Sequence, residues 1–172
     1  MILYHHTDTA RLPFILKSGE LRPGRNKSGG FPDPDFLWAT TDDKGDATAS
    51  ADRAGHYRSG KVRHVRFALD SADFIPWADI PARFPAWGVH VERLEASARL
   101  KSTKPSSWWC RAEPLSLRGV RIETRSYANN RWTLLEKPDV SDEDAQGWLA
   151  VSIAGKTFAS RIVRRSARPE VV

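Results

Sequence analysis

The chain has 172 residues, 40% of them hydrophobic and 28% charged, and a formal net charge of +6. That length suits one domain that buries about two-thirds of its surface. No apolar run nears the roughly 20 residues needed to cross a bilayer, and the lone Cys110 excludes an internal disulfide or a multi-cysteine zinc site. The basic excess points to an anionic partner such as a nucleotide or nucleic acid, with plain solubility as the other explanation. No basic segment precedes an apolar core at the start, so a cytoplasmic protein with no secretory signal and no membrane partner is expected.

Residues 2–6 predict a strand that runs into Tyr4-His5-His6-Thr7. Leu12, Ile15 and Leu16 recur at helical spacing, and Pro13 fits only a first turn, so a helix is expected from near Thr9 to a stop at Gly19. Residues 22–35 hold Pro23, Gly24, Gly29, Gly30, Pro32 and Pro34, a long loop of the kind that often serves a ligand. Residues 36–41 predict a second strand, and Asp42 or Asp43 is expected to cap a helix reaching about residue 54. Residues 64–69 alternate and predict a third strand. Residues 73–83 read as a loop anchored by Phe74 and Trp77, and 89–100 as a helix. Strands are expected at 108–115, 119–124 and 131–135, then an acidic linker at 137–147. A terminal hairpin, 148–153 with 157–163, turns at Ala154-Gly155. Short strands and few helices without strict alternation predict an α+β fold. Residues 1–136 form the main domain, with 137–172 an extension packed on it.

Strand alternation sends His5 and His6 to opposite faces, so only one enters a given cleft. Trp38 and Thr40 share a face; an aromatic ring and a hydroxyl at a strand end suit a flat, amide-bearing ring. A packed histidine and an ordinary core strand stay open as alternatives. His56, His64 and His90 are scattered, without metal-ligand spacing. Arg22, Arg25, Arg53 and Arg111 are candidates for a pyrophosphate, Arg25 the best placed in its Gly-rich loop. Neither the P-loop nor the dinucleotide glycine fingerprint is present. Trp108 and Trp109 face opposite ways, one for the core and one for stacking. Cys110 reads as a buried, inert thiol. Residues 99–125 carry seven arginines and lysines against Glu113 and Glu123.

Three segments together resemble the opening of the ADP-ribosyltransferase fold: Tyr4-His5-His6-Thr7, Leu12-Pro-Phe-Ile-Leu-Lys-Ser-Gly-Glu-Leu21 and Phe36-Leu-Trp-Ala-Thr-Thr41. The nearest likeness is to small bacterial members that begin Tyr-His-aromatic-Thr and carry Trp-x-Thr in the second strand. The resemblance implies split antiparallel sheets with flanking helices and a cleft that takes NAD as substrate. By position, His5 would hold a ribose hydroxyl with Thr7 beside it. Trp38 and Thr40 would support the nicotinamide, with Tyr4 or Trp38 shielding the ring. The family also supplies a carboxylate from a later strand. Ser107 stands where that glutamate is expected, which leaves Glu113 first and Glu123 second as catalytic candidates. The implied activity is mono-ADP-ribosyl transfer to a macromolecule. The basic 99–125 segment favours nucleic acid over protein as acceptor. A toxin or phage-defence role, with an antitoxin protein as partner, is implied in the same way. Two alternatives stand beside it: an RNA 2′-phosphotransferase-like enzyme, which relies on arginines and histidines, and a non-catalytic nucleic-acid-binding module.

Overall fold

The computed structural model describes residues 1–24, 30–45, 54–136, 138–142 and 148–161. In chain order the first elements are β1 (Ile2–Asp8), α1 (Leu12–Ser18), β2 (Glu20–Leu21), β3 (Leu37–Thr40), α2 (Ala54–Arg58) and β4 (His64–Asp70). There follow β5 (Ile75–Pro76), α3 (Ile80–Arg83), α4 (Gly88–Leu100), β6 (Trp108–Arg111), β7 (Leu115–Ser116) and β8 (Arg121–Arg125). The last are β9 (Thr133–Leu134), β10 (Val140–Asp142), β11 (Trp148–Ile153) and β12 (Lys156–Arg161). Seven strands form one antiparallel sheet in the order β5-β6-β3-β1-β4-β8-β9. A second sheet runs β10-β11-β12, and β2 pairs with β7. The fold is α+β with antiparallel sheets and few helices. None of the described helices is long and apolar enough to cross a membrane.

Register fixes the two faces of the large sheet, because directly opposed residues share a side. Leu3 sits opposite Leu69, His5 opposite Phe67, Thr7 opposite Val65, and Phe67 opposite Ile122. This face carries the larger core. There Leu3, Val65 and Phe67 pack with Leu12 of α1 and with Val151, Ile153 and Phe158 of the second sheet. The β11–β12 hairpin turns where its sequence demands, with Ala154 and Gly155 both at positive φ, 48° and 74°. Gly19 ends α1 at φ 71°, its N–H on the carbonyls of Ile15 and Leu16. The opposite face, at the β3–β6 side, carries a second core in which Phe36, Trp77, Ile80, Trp87 and Trp108 meet under α3 and α4.

Several expectations need correction. Residues 73–83 are not an open loop: they hold β5, a 3-10 turn at Trp77–Asp79 and α3. The anticipated strand over 108–115 is broken after Arg111, and its end joins β2 in a separate sheet, because Pro114 supplies no N–H for a continuous ladder. Among the described residues Asp42 caps no helix; its carboxylate takes the Lys44 N–H in a turn, and α2 is described only over Ala54–Arg58. Residues 46–53 lie outside the described residues. So do 143–147, while 140–142 of the expected acidic linker form β10.

Candidate functional site: a cleft at the fork between β1 and β3

The cleft arises where the sheet opens. β1 and β3 meet at one opposed pair, Tyr4 and Thr40, although β1 pairs along its whole length with β4. Below that pair the strands diverge, and the Trp38 carbonyl has no ladder partner on β1. The His5 ring fills the gap, its Nδ1 lying 2.7 Å from that carbonyl. A carbonyl only accepts, so Nδ1 carries the proton and Nε2 of the neutral ring is left as an acceptor. Burial pushes His5 below the usual histidine range, against the pull of the Trp38 carbonyl and with a small push from the Arg11 charge. The ring is therefore a fixed, neutral hydrogen-bond acceptor.

A cleft of about 970 Å³ surrounds it. One wall is α1 and the β2 segment: Arg11, Phe14, Ile15 and Ser18 project from one helix face, with Lys17 and Arg22 beside them. Asp8 positions this wall. Its carboxylate accepts the Ala10 and Arg11 N–H groups and pairs with the Arg11 guanidinium. The other wall is aromatic, with Phe31, Phe36, Trp38, Trp87 and Trp108. Phe31 lies flat on Trp87 at 5.3 Å between centroids, and the Trp87 indole N–H donates to the Pro34 carbonyl. Leu94, Ser97 and Lys101 at the α4 end also line it. Four cations thus face the cleft against two carboxylates, and both carboxylates are engaged: Glu20 pairs with Arg22, and Asp35 accepts the Phe36 N–H.

The structure brings Tyr4, His5, His6, Thr7, Trp38 and Thr40 to this one cleft, so both histidines line it, against the expectation that only one would enter, because the opening between β1 and β3 exposes both faces of the strand. Thr7 is buried on the His5 side. The Thr40 hydroxyl is already committed, donating to Ser107 Oγ at 3.1 Å and accepting the Asp42 N–H. Tyr4 lies under the Arg66 guanidinium, 4.4 Å from its ring centre. Arg25 and Arg53 fall outside the described residues. Arg22 lines the cleft; Arg111 instead braces the β6–β7 turn through the carbonyls of Asp73, Glu113 and Pro114.

Neither candidate catalytic carboxylate lines the cleft. Glu113 is exposed in the turn after β6. Glu123 is buried on β8, two strands beyond β1 and on the face opposite to His5, where Arg66 and Arg121 both bind it at 2.7 Å. Trp108 and Trp109 pack in different cores, and Trp108 also lines the cleft. Cys110 is fully buried and its thiol is pushed up by that burial. Among the described residues, no group of three His, Cys, Asp or Glu is placed to hold a metal ion. Sequence reasoning missed Arg11, Lys17, Glu20, Trp87 and Lys101. The i, i+3, i+4, i+7 spacing of Arg11, Phe14, Ile15 and Ser18 is the signal that would have found the α1 wall.

His6, on the other face, donates from Nε2 to the Asp42 carbonyl at 3.0 Å and sits near the Tyr4 and Trp132 rings. Burial is the main reason its pKa falls to about 4; the Asp42 carbonyl opposes the fall, and His5, Arg66 and Arg125 add to it. The unfolded chain therefore binds more protons than the folded one from about pH 6.5 down to 4, so stability must drop as pH falls through that window. Thermal unfolding followed from pH 7 to about 4.5 should show a declining Tm, and His6→Gln should flatten the decline.

No protein-family model, curated protein or solved structure matches the chain.

Proposed function

We propose that the chain is an NAD-dependent mono-ADP-ribosyltransferase acting on a macromolecule, with nucleic acid favoured over protein as acceptor. The observation that carries this is the fork between β1 and β3 with the neutral His5 ring set in it. That ring offers Nε2 to a ribose hydroxyl, which is the task the resemblance assigns to the first-strand histidine. The aromatic wall suits the flat nicotinamide ring. Arg11, Lys17 and Arg22 suit a pyrophosphate. Ser107, bonded to Thr40, occupies the position where the resemblance expects a glutamate.

The direct test is incubation of the chain with NAD and measurement of free nicotinamide. His5→Ala should lower its release by about 100-fold or more while far-UV circular dichroism stays unchanged. Absence of both nicotinamide release and calorimetric NAD binding overturns the assignment. One observation favours a second reading, an RNA 2′-phosphotransferase-like enzyme. The cleft is lined by Arg11, Lys17, Arg22 and Lys101, and by neither Glu113 nor Glu123. Loss of phosphate from a 2′-phosphorylated RNA in the presence of NAD would decide for it.

A further inference from the structure

The seven cations of 99–125 do not form one surface. Arg111 is spent on three carbonyls, Arg121 on Glu123, and Arg125 on the Lys44 carbonyl, while Arg118 stands apart between β7 and β8. Arg99, Lys101 and Lys104 remain, all exposed, and none of them forms an ion pair among the described residues. No acidic residue occurs between Glu95 and Glu113. Complementing the end of α4 accounts for Arg99 and Lys101, but not for Lys104 beyond it.

The connection from α4 to β6 is also built rather than slack. Ser102 N–H bonds the Arg99 carbonyl, Thr103 bonds the Ala98 carbonyl through both N–H and hydroxyl, and Ser107 bonds the Lys104 carbonyl in the same double way. Lys101 reaches the cleft lining, and Leu100 beside it is 89% exposed. The segment is a hydrogen-bonded, positively charged lip that meets the aromatic cleft at Lys101.

We propose that this lip docks the phosphate backbone of a single-stranded nucleic acid and so delivers an unpaired base to the cleft. The inference rests on the proposed transferase reading and names its acceptor surface. Backbone phosphates supply the matching charge. A single strand is specified because a base must leave a duplex before tryptophan side chains inside a cleft can reach it.

The test uses a fluorescein-labelled single-stranded 12-mer, as RNA and as DNA, titrated with the full chain at several salt concentrations, and compares Arg99→Gln/Lys104→Gln with the parent. The double variant should bind about 10-fold more weakly near 0.1 M salt, with the log–log salt slope reduced by about 1.4. Calorimetric NAD binding should be unchanged. Equal binding by the two proteins overturns the lip, as does equal binding of a blunt duplex or of phosphatidylserine vesicles. If the oligonucleotide binds as expected and NAD does not, the lip stands and the transferase reading falls.

Discussion

Glu123→Ala should unfold the protein far more readily, by about 3–5 kcal/mol, rather than leave an intact but inactive enzyme. The carboxylate is buried and bonded at 2.7 Å to Arg66, whose own side chain is 10% exposed. Arg66 cannot turn to water. It lies between the Tyr4 and Trp132 rings, 4.4 Å from each, and donates to the Asp43 carbonyl. Removing Glu123 strands a desolvated guanidinium on that face, and breaking one half of a buried pair costs about that much. For a chain of this size the loss corresponds to a Tm drop on the order of 10 °C, readable by calorimetry. Arg121→Ala, which removes the exposed partner, should cost under about 1 kcal/mol. If Glu123→Ala melts like the parent but no longer turns over NAD, the carboxylate works in catalysis rather than in holding Arg66.

Trp87→Ala should be comparably severe, about 3–5 kcal/mol, and should also weaken NAD binding. The indole is 1% exposed and touches Phe31, Phe36, Trp38 and Trp77. The surroundings relax only partly around a cavity of that size. The indole N–H also holds the Pro34 carbonyl, and the ring is the platform for Phe31, so its loss frees the part of the loop that walls the cleft. Trp87→Phe keeps most of the packing and gives up one hydrogen bond, so it should cost about 1 kcal/mol beyond the lost volume. Chemical denaturation of the two variants separates the contributions. Trp87→Ala at parental stability would contradict the packing described for the second core.

Much of this was legible from spacing. Alternation put His5 and His6 on opposite faces and Trp38 beside Thr40 on one, because a pleated strand leaves no other choice. The stop at Gly19 and the turn at Ala154-Gly155 followed from positive-φ chemistry. The fork was not legible. Strand divergence depends on which ladder bonds fail to form, and residues 37–40 give no sign that they pair with β6 throughout and with β1 only at Thr40. The carboxylates were misplaced for a related reason. Order along the chain made Glu113 and Glu123 the natural candidates, but β8 lies beyond β4, and Glu123 is claimed there by Arg66, 57 residues away in sequence. The α1 wall was not legible because an apolar helix face has the same spacing whether it covers a core or lines a cleft.

The burial of Cys110 has a practical corollary. It is the chain's single thiol and has no solvent contact in the folded state. A cysteine introduced at Lys104 would thus be the sole group to react with a maleimide dye under native conditions. The parent sequence is already a scaffold on which one fluorophore marks one chosen position, with no background to engineer away.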